Sequence, residues 1–212
     1  MIMVRDDAGR STARQTTMQL GWALVGALIA HLALVTPAHA QGESANLVRR
    51  LTDGGHVLMI RHALAPGTGD PPEFRLGDCA TQRNLDERGR AQARAIGTWL
   101  RARGVTAAQI YSSQWCRCLE TARLMGIGSV VELPALNSFY EQPSNREPNL
   151  RALREFLATR PAQGPPTVLV THQVTIAAIT GSGVSSGEGV LVELDDGDRY
   201  TVRAQIRFGD WR

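Results

Sequence analysis

Two short apolar segments constrain this chain more than any other feature of its sequence. Residues 57–60 and 167–171 are typical of buried strands, and each segment leads to a histidine, His62 or His172. In an open α/β sheet, ligands bind beyond the carboxyl ends of the strands, because loops and helix N-termini converge there. The sequence therefore predicts that His62 and His172 belong to one binding site at the edge of a sheet.

Strands and helices alternate along the chain. A segment rich in glycine and proline, residues 63–84, interrupts this pattern and is predicted to be a long loop beside the site. The alternation predicts an α/β fold, a three-layer α/β/α sandwich whose mainly parallel sheet ends in an antiparallel C-terminal edge hairpin. The predicted strands are 56–61, 109–112, 130–133, 167–171, 190–194 and 200–208; the predicted helices are 41–52, 87–103, 115–124, 150–160 and 174–180.

The first 40 residues have the pattern of a secretory signal peptide. Residues 20–35 are nearly all apolar, follow an arginine-containing segment and precede the small-x-small sequence Ala38-His39-Ala40. Cleavage after Ala40 predicts a single mature domain, residues 41–212, that is exported to the periplasm or secreted by a bacterium. The alternative is an uncleaved anchor, but the apolar run is shorter than the ~20 residues that span a bilayer comfortably. We therefore expect no stable membrane anchor after cleavage.

The charge balance of the chain argues against nucleic acid as a partner. The formal net charge is +3, and the basic Lys/Arg positions are all arginine and are dispersed along the chain. Nucleic-acid binding requires a concentrated basic surface, so this composition does not indicate a nucleic-acid partner. The sequence does not indicate an oligomeric state.

The three cysteines, Cys79, Cys116 and Cys118, all lie in the predicted exported part. In an oxidising compartment, a bridge from Cys79 to Cys116 or Cys118 would tie the long loop to the next part of the site. The alternative is three buried free thiols. A zinc site is a weaker third possibility, because the spacing lacks the usual paired ligands.

An anion-binding group of side chains is predicted around the two histidines. Arg61 precedes His62, and Arg117 falls in the first turn of a helix that begins just after the predicted strand 109–112. Helix N-termini attract phosphate, and guanidinium groups hold it through charge-assisted hydrogen bonds. A neutral imidazole is a good nucleophile, and a protonated His172 would stabilise the equatorial oxygens during transfer. These cationic side chains would replace a metal ion, so we expect neither a metal nor a cofactor.

Several motifs, in their order along the chain, resemble the histidine phosphatase superfamily, which includes cofactor-dependent phosphoglycerate mutases and many phosphatases. The resemblance covers essentially all of residues 41–212. It implies that His62 is the nucleophile and is transiently phosphorylated, and that Arg61, Arg117 and His172 bind the phosphate. The motifs are Arg61-His62, Asn84-Leu85-Asp86-Glu87-x-Gly89-x-x-Gln92-Ala93, Ser112-Ser113-x-x-x-Arg117-x-x-Glu120-Thr121-Ala122 and the strand that ends in His172.

The chain also departs from the family pattern. Ala63 stands where glycine usually follows Arg-His, and Gln173 follows His172, which argues against the branch with a His-Asp acid motif. In the other branch a glutamate near position 138 often protonates the leaving group, but this chain has Ser138. Glu141 is the candidate acid and Asp78 its substitute; no acid is needed if the leaving group is an imidazole or an acyl phosphate.

These features predict an exported, metal-independent phosphatase that hydrolyses a small phosphorylated substrate through a phosphohistidine. The predicted export makes a glycolytic mutase implausible, because its substrates are cytoplasmic. The alternatives are a phosphohistidine or phosphoprotein phosphatase, a non-catalytic phosphate-binding envelope protein, and phosphate transfer to an acceptor other than water.

Overall fold

A six-stranded sheet forms the centre of the structure, a computed structural model that describes residues 46, 48–160, 163–195 and 200–209. The strands are β1 (His56–Arg61), β2 (Gln109–Ser112), β3 (Val130–Glu132), β4 (Thr167–Thr171), β5 (Gly189–Leu194) and β6 (Tyr200–Ile206), in the order β3-β2-β4-β1-β5-β6. The four strands β1 to β4 pair in parallel, whereas β5 and β6 run antiparallel at the edge. The predicted signal segment and most of the predicted hairpin turn lie outside the described residues.

The register between β1 and β4 brings the two histidines to the same level of the sheet. Arg61 pairs with Thr171, so the following residues, His62 and His172, leave adjacent parallel strands side by side. The backbone N–H of His62 also donates to the Thr171 carbonyl over 2.9 Å. The two strands are buried because helices cover both faces, which explains their continuous apolar sequence.

Within the described residues, four α-helices cover the sheet: α1 (Glu87–Arg101), α2 (Cys116–Met125), α3 (Arg146–Ala158) and α4 (Gln173–Thr180). Asp86 caps α1 as predicted, because its side chain accepts a hydrogen bond from the Gly89 N–H over 2.7 Å. Helix α3 begins four residues earlier than predicted. Pro148 lies in its first turn, where the missing N–H needs no partner, and is therefore compatible with the helix.

Alternate residues of β1 pack into separate cores. Leu58 and Ile60 lie in one apolar cluster with residues of α1 and α2, whereas Val57 and Met59 lie in another with residues of α3 and α4. This alternation follows from the two-residue period of a strand. It confirms the predicted three-layer α/β/α sandwich with an antiparallel C-terminal edge. Among the helices that the structure describes, none combines the length and apolar character needed to cross a membrane.

Helices α1 and α2 approach closely at a glycine. A Cβ on Gly97 would lie 1.8 Å from the Met125 carbonyl oxygen, so a side chain there cannot be accommodated without moving backbone. Gly89, in the first turn of α1, similarly leaves room for the Leu64 carbonyl oxygen, 2.0 Å from the position of its absent Cβ. Small residues on this face therefore set the position of α1 against α2 and against the loop that follows His62.

Candidate active site

A cavity of about 200 Å³ lies at the carboxyl edge of the parallel strands. Both predicted histidines line it, together with the arginines predicted to bind phosphate and residues of the long loop 63–84. The loop contributes glycine-rich backbone at residues 67–69, and the segment after β3, which contacts this loop, contributes Ser138, Tyr140 and Glu141. The lining residues are Arg61, His62, Gly67, Thr68, Gly69, Arg83, Arg117, Ser138, Tyr140, Glu141, His172, Gln173 and Val174.

The imidazole of His62 is held in one tautomer. Its Nδ1 lies 2.8 Å from the Ala63 carbonyl oxygen, which can only accept, so Nδ1 carries the proton and Nε2 carries the lone pair of the neutral ring. Burial, and then the positive charge of Arg117, lower the pKa of His62 to about 3. At neutral pH, His62 is therefore an uncharged imidazole with a nucleophilic Nε2.

His172 follows β4 and lies at the N-terminus of α4. Its Nε2 lies 2.8 Å from Ser113 Oγ, and its ring packs edge-on against Trp115 at a centroid distance of 5.2 Å. Burial, and then Arg117, lower the pKa of His172 well below its ordinary value. His172 is therefore neutral at neutral pH, and the neighbouring guanidinium groups supply the positive charge that a protonated His172 would have added.

Ser113 and Thr121 link the surroundings of the two histidines to helix α2. Ser113 contacts His172 as described above. Thr121 Oγ1 accepts a hydrogen bond from the Ala63 N–H over 3.0 Å and donates to the Arg117 carbonyl over 2.7 Å. One hydroxyl thus ties the residue after His62 to the helical turn that carries Arg117.

Arg117 occupies the first turn of α2, as predicted, and its side chain is buried. Its Nη1 and Nη2 donate to the two carboxylate oxygens of Asp70, over 2.7 and 2.9 Å. Nη1 also donates to the Arg83 carbonyl over 3.2 Å. Its Nε is buried and has no hydrogen-bond partner among the described residues, so this donor is left unsatisfied within the protein.

Arg61 and Arg83 complete a group of three guanidinium side chains on the cavity. Arg61 donates from Nη1 to the Val184 carbonyl over 3.0 Å, and Arg83 from Nε to the Gly69 carbonyl over 2.7 Å. Burial, and then the charge of Arg117, lower the pKa of both side chains. Arg83 was not predicted from the sequence, because it lies at the end of an irregular loop. Its position just before the Asn84-Leu85-Asp86 motif was the available signal.

A disulfide joins Cys79 in the long loop to Cys116 at the start of α2, with Cα atoms 5.7 Å apart. This is one of the two pairings predicted from the sequence. Cys118 stays outside the bridge and is buried 3.5 Å from His172 Nε2. Burial raises the pKa of its thiol to about 12, so it remains protonated at neutral pH. Within the described part of the chain, no group of three or more His, Cys, Asp or Glu side chains is arranged to hold a metal.

The two candidate acids lie in different places. Glu141 lines the cavity, is exposed, and accepts a hydrogen bond from the Asp70 N–H over 3.1 Å. Asp78 is not among the lining residues; it pairs with Arg75 on the surface and caps the turn at Ala80. Asp78 is therefore wrong as the substitute acid, since its carboxylate is committed to holding its own turn. The loop carboxylate beside the site is Asp70.

Fold and cavity together define a class of α/β/α proteins in which two histidines and several arginines meet at the carboxyl edge of the sheet. The family model described as histidine phosphatase superfamily (branch 1) matches residues 57–143. Over these residues the chain matches the histidine phosphatase superfamily, in agreement with the resemblance of its motifs. The matched range includes Arg61, His62 and Arg117 but stops before His172, which the structure brings to the same cavity.

Solved structures with the same fold include the protein histidine phosphatase SixA complexed with tungstate. That chain is 20% identical, with a TM-score of 0.50 over 72% of this chain and 97% of its own length. The alpha-ribazole phosphatase from Shigella flexneri is 15% identical, with a TM-score of 0.50 over 72% of this chain and 96% of its own. A structure named mycobacterial hydrolase 1 is 18% identical, with a TM-score of 0.52 over 71% and 96%. A comparison with curated proteins found no significant match.

Proposed function

We propose that this protein is an exported, metal-independent phosphatase that hydrolyses a phosphomonoester through a phosphohistidine on His62. The observation that carries the proposal is the state of His62. Its Nδ1 is tied to the Ala63 carbonyl, and its low pKa keeps Nε2 unprotonated on a cavity lined by three arginines. A neutral nucleophile surrounded by fixed cations matches the needs of attack on a phosphate dianion.

The reaction proceeds in two balanced steps. In the first, His62 Nε2 attacks phosphorus, an N–P bond forms, and the bond from phosphorus to the ester oxygen breaks. The leaving oxygen takes a proton from Glu141 or from water. In the second step, water attacks the phosphorus and the N–P bond breaks. The water gives its proton to the carboxylate of Glu141, or to the hydroxide, that the first step left; inorganic phosphate leaves, and His62 regains its lone pair.

The arginines supply the electrostatic part of this mechanism. Guanidinium groups form directed, charge-assisted hydrogen bonds to phosphoryl oxygens and fix the group in line with the nucleophile. Arg61 and Arg117 each keep a buried Nε without a partner among the described residues, so both retain a donor for a bound anion. This donor set performs the charge neutralisation that a metal ion performs in other phosphatases.

The disulfide supports the proposed export. Disulfides form and persist in oxidising compartments and are rare in the cytosol. The Cys79–Cys116 bridge lies beside the cavity, in the region that follows the predicted cleavage site after Ala40. An exported protein that acts in the periplasm or outside the cell is the simplest setting for it. Mass spectrometry of the N-terminus of the protein recovered from the periplasm or medium tests this localisation.

The decisive experiment compares His62→Ala with a matched control, His56→Ala. His56 starts the same strand but does not line the cavity. Hydrolysis of p-nitrophenyl phosphate in EDTA should be retained in the wild type and His56→Ala and lost in His62→Ala. A denaturing alkaline quench during turnover should trap an acid-labile phosphoryl group on His62, visible by ³¹P NMR. Activity that survives in a folded His62→Ala variant would overturn the assignment.

A phosphohistidine or phosphoprotein phosphatase is the second candidate. It is favoured by the position of Glu141, the one carboxylate among the described cavity-lining residues, which lies exposed at the rim. An imidazole leaving group needs less help from an acid than an alkoxide does. A solved structure of the same fold is named as a protein histidine phosphatase. Rates on a phosphohistidine peptide and a phosphoserine peptide of the same sequence distinguish the two candidates.

A further inference from the structure

We propose that Asp70 is a positioning residue for the reaction: its carboxylate holds the guanidinium of Arg117 in the orientation that meets the transferred phosphoryl group. Asp70 lies in the long loop 63–84 and does not itself line the cavity. The proposal rests on the proposed phosphatase function, and it adds a residue that acts through Arg117 and touches no substrate.

The contact between Asp70 and Arg117 is a two-point contact in a dry environment. Nη1 donates to Oδ1 and Nη2 to Oδ2, while the side chains are 0% and 3% exposed for Asp70 and Arg117 respectively. A bidentate pair fixes both the position and the plane of a guanidinium, which a single hydrogen bond does not. Because both partners are buried, water cannot substitute for either of them.

The remaining capacity of the Asp70 carboxylate is taken by neighbouring donors. Oδ1 accepts from the Arg83 backbone N–H over 2.9 Å, and Oδ2 accepts from Trp115 Nε1 over 2.9 Å. Burial alone would raise the pKa of this carboxyl, but the hydrogen bonds from Arg117, Arg83 and Trp115 outweigh that effect and lower it. Asp70 is thus a fixed anion with no proton to donate, which excludes the role of general acid.

The pairing leaves a defined part of Arg117 for the ligand. Its two terminal nitrogens face Asp70, and its buried Nε has no partner within the described part of the structure. A buried N–H without a partner costs free energy, so a phosphoryl oxygen that reaches the Nε–H would satisfy this donor. Without Asp70, the side chain keeps only the contact of Nη1 with the Arg83 carbonyl and is repelled by the positive charges of Arg61 and Arg83.

Replacement of Asp70 by a neutral residue changes both the charge of the cavity and the orientation of Arg117, and these two changes have opposite effects on the site. Removal of the Asp70 charge makes the cavity more positive, which favours any bound anion. Loss of the anchor disturbs Arg117, which lowers the stabilisation of the transition state. A positioning role therefore predicts a lower kcat together with unchanged or tighter binding of inorganic phosphate. A residue that serves only stability would not separate these two quantities.

The test is Asp70→Asn beside the matched control Asp78→Asn, which removes a carboxylate of the same loop from a surface ion pair. We expect kcat for p-nitrophenyl phosphate to fall by roughly 100-fold in Asp70→Asn, the scale of a misplaced reacting group. The inhibition constant of inorganic phosphate should stay the same or decrease, and Asp78→Asn should match the wild type. An unchanged kcat, or a parallel loss of kcat and phosphate binding, would overturn the proposal.

A double variant shows whether Asp70 acts through Arg117. In Arg117→Ala, the buried Asp70 carboxylate is left without its partner and repels the phosphoryl group. Asp70→Asn added to Arg117→Ala should therefore raise kcat, although the same change lowers kcat in the wild-type background. A further decrease in the double variant would show that Asp70 contributes independently of Arg117, contrary to the proposal.

Vanadate binding separates this proposal from the proposed function. Vanadate adopts the five-coordinate geometry of phosphoryl transfer and reports on transition-state complementarity without turnover. We expect Asp70→Asn to weaken vanadate binding by the same factor as kcat and to leave phosphate binding unchanged or tighter. If the wild-type protein binds vanadate but hydrolyses no phosphate ester, the phosphatase proposal fails while the binding comparison still decides the role of Asp70. Equal vanadate affinity in wild type and Asp70→Asn would refute the positioning role.

Discussion

The imidazole rings of His62 and His172 lie edge to face with their centroids 5.6 Å apart, although the two residues are separated by most of the domain. The contact follows from sheet register, because Arg61 pairs with Thr171 and each histidine is the next residue on its strand. Both rings are therefore buried in the same electropositive environment. Their protonation, reactivity and contribution to stability are linked through this one arrangement.

The stability of the protein should increase with pH between about pH 3 and the ordinary histidine pKa of 6.5. In this window His62 is protonated in the unfolded chain but not in the folded chain. Lowering the pH therefore favours the unfolded state, and the free energy of unfolding is highest above pH 6.5 and decreases as the pH falls. The lowered pKa of His62 predicts an effect on the order of a few kcal/mol in the free energy of unfolding.

Urea unfolding followed by tryptophan fluorescence at about pH 7.5 and about pH 5 measures this slope. Asp70 also has a lowered pKa, but its contribution is lost only in acid near and below its ordinary value of 3.8. His172 also has a lowered pKa and contributes in the same direction, so His62→Gln should reduce the dependence without abolishing it, whereas His56→Gln should preserve it. An equal slope in all three proteins would assign the effect to other groups.

Glu141→Gln should separate substrates by their leaving groups. Nitrophenolate leaves without a proton, so hydrolysis of p-nitrophenyl phosphate should change little. Hydrolysis of glycerol phosphate should fall by about 10²-fold or more if Glu141 is the general acid. Glutamine can still accept the hydrogen bond from the Asp70 N–H, so the substitution tests proton donation alone.

Glu147→Gln is the matched control for this experiment, since Glu147 lies in an exposed ion pair with Arg146 outside the cavity. Equal losses on both substrates would show that Glu141 acts by binding rather than by protonation. Unchanged rates on both would mean that the leaving group takes its proton from water.

Reduction of the Cys79–Cys116 bridge should destabilise the protein. The bridge closes a segment with a sequence separation of 37, for which chain entropy predicts a loss of about 4 kcal/mol. In a domain of this size, that loss corresponds to a decrease in Tm of about 10 °C. Thermal unfolding with and without dithiothreitol measures it. The Cys79→Ser/Cys116→Ser variant should start at the lower Tm and show no response to the reductant; a response there would contradict the assignment.

Gly97→Ala should lower stability by about 1–3 kcal/mol, because the new Cβ would overlap the Met125 carbonyl and separate α1 from α2. Ala91→Ser, on an exposed turn of the same helix, should stay within about 0.5 kcal/mol of the wild type. Denaturant midpoints compare the two. A fully stable Gly97→Ala protein would mean that the helices can move apart at no cost.

Sequence patterns were sufficient where periodicity or order along the chain carried the information. The continuous apolar segments and the alternation of strands and helices predicted the three layers, and Asp86 predicted the start of α1. The ends of β1 and β4 predicted where His62 and His172 meet. The loop 63–84 could not be predicted in this way, because its contacts are made over long sequence distances. Asp70 pairs with Arg117, which is 47 residues away in the sequence, and no local sequence pattern predicts that pair.

The lowered pKa of His172 shows a second limit of prediction from sequence. The sequence gives the residue types near a histidine but not the depth of burial or the balance of charges, which together decide its pKa. The choice between Cys116 and Cys118 as the partner of Cys79 has the same cause. The side chains at positions 116 and 118 leave the first turn of α2 in different directions, and the resulting burial of Cys118 depends on the packing of the whole domain.

The contacts of the loop 63–84 have a practical consequence. Its ordering depends on Asp70, Arg83 and the bridge at Cys79, and the first two of these also make or support the cavity. The backbone N–H of Arg83 donates a hydrogen bond to the Asp70 carboxylate that holds Arg117. This amide hydrogen can therefore exchange with solvent only when that hydrogen bond breaks. The rate of deuterium uptake at this amide therefore measures how often the anion site opens, and the measurement requires no knowledge of the substrate.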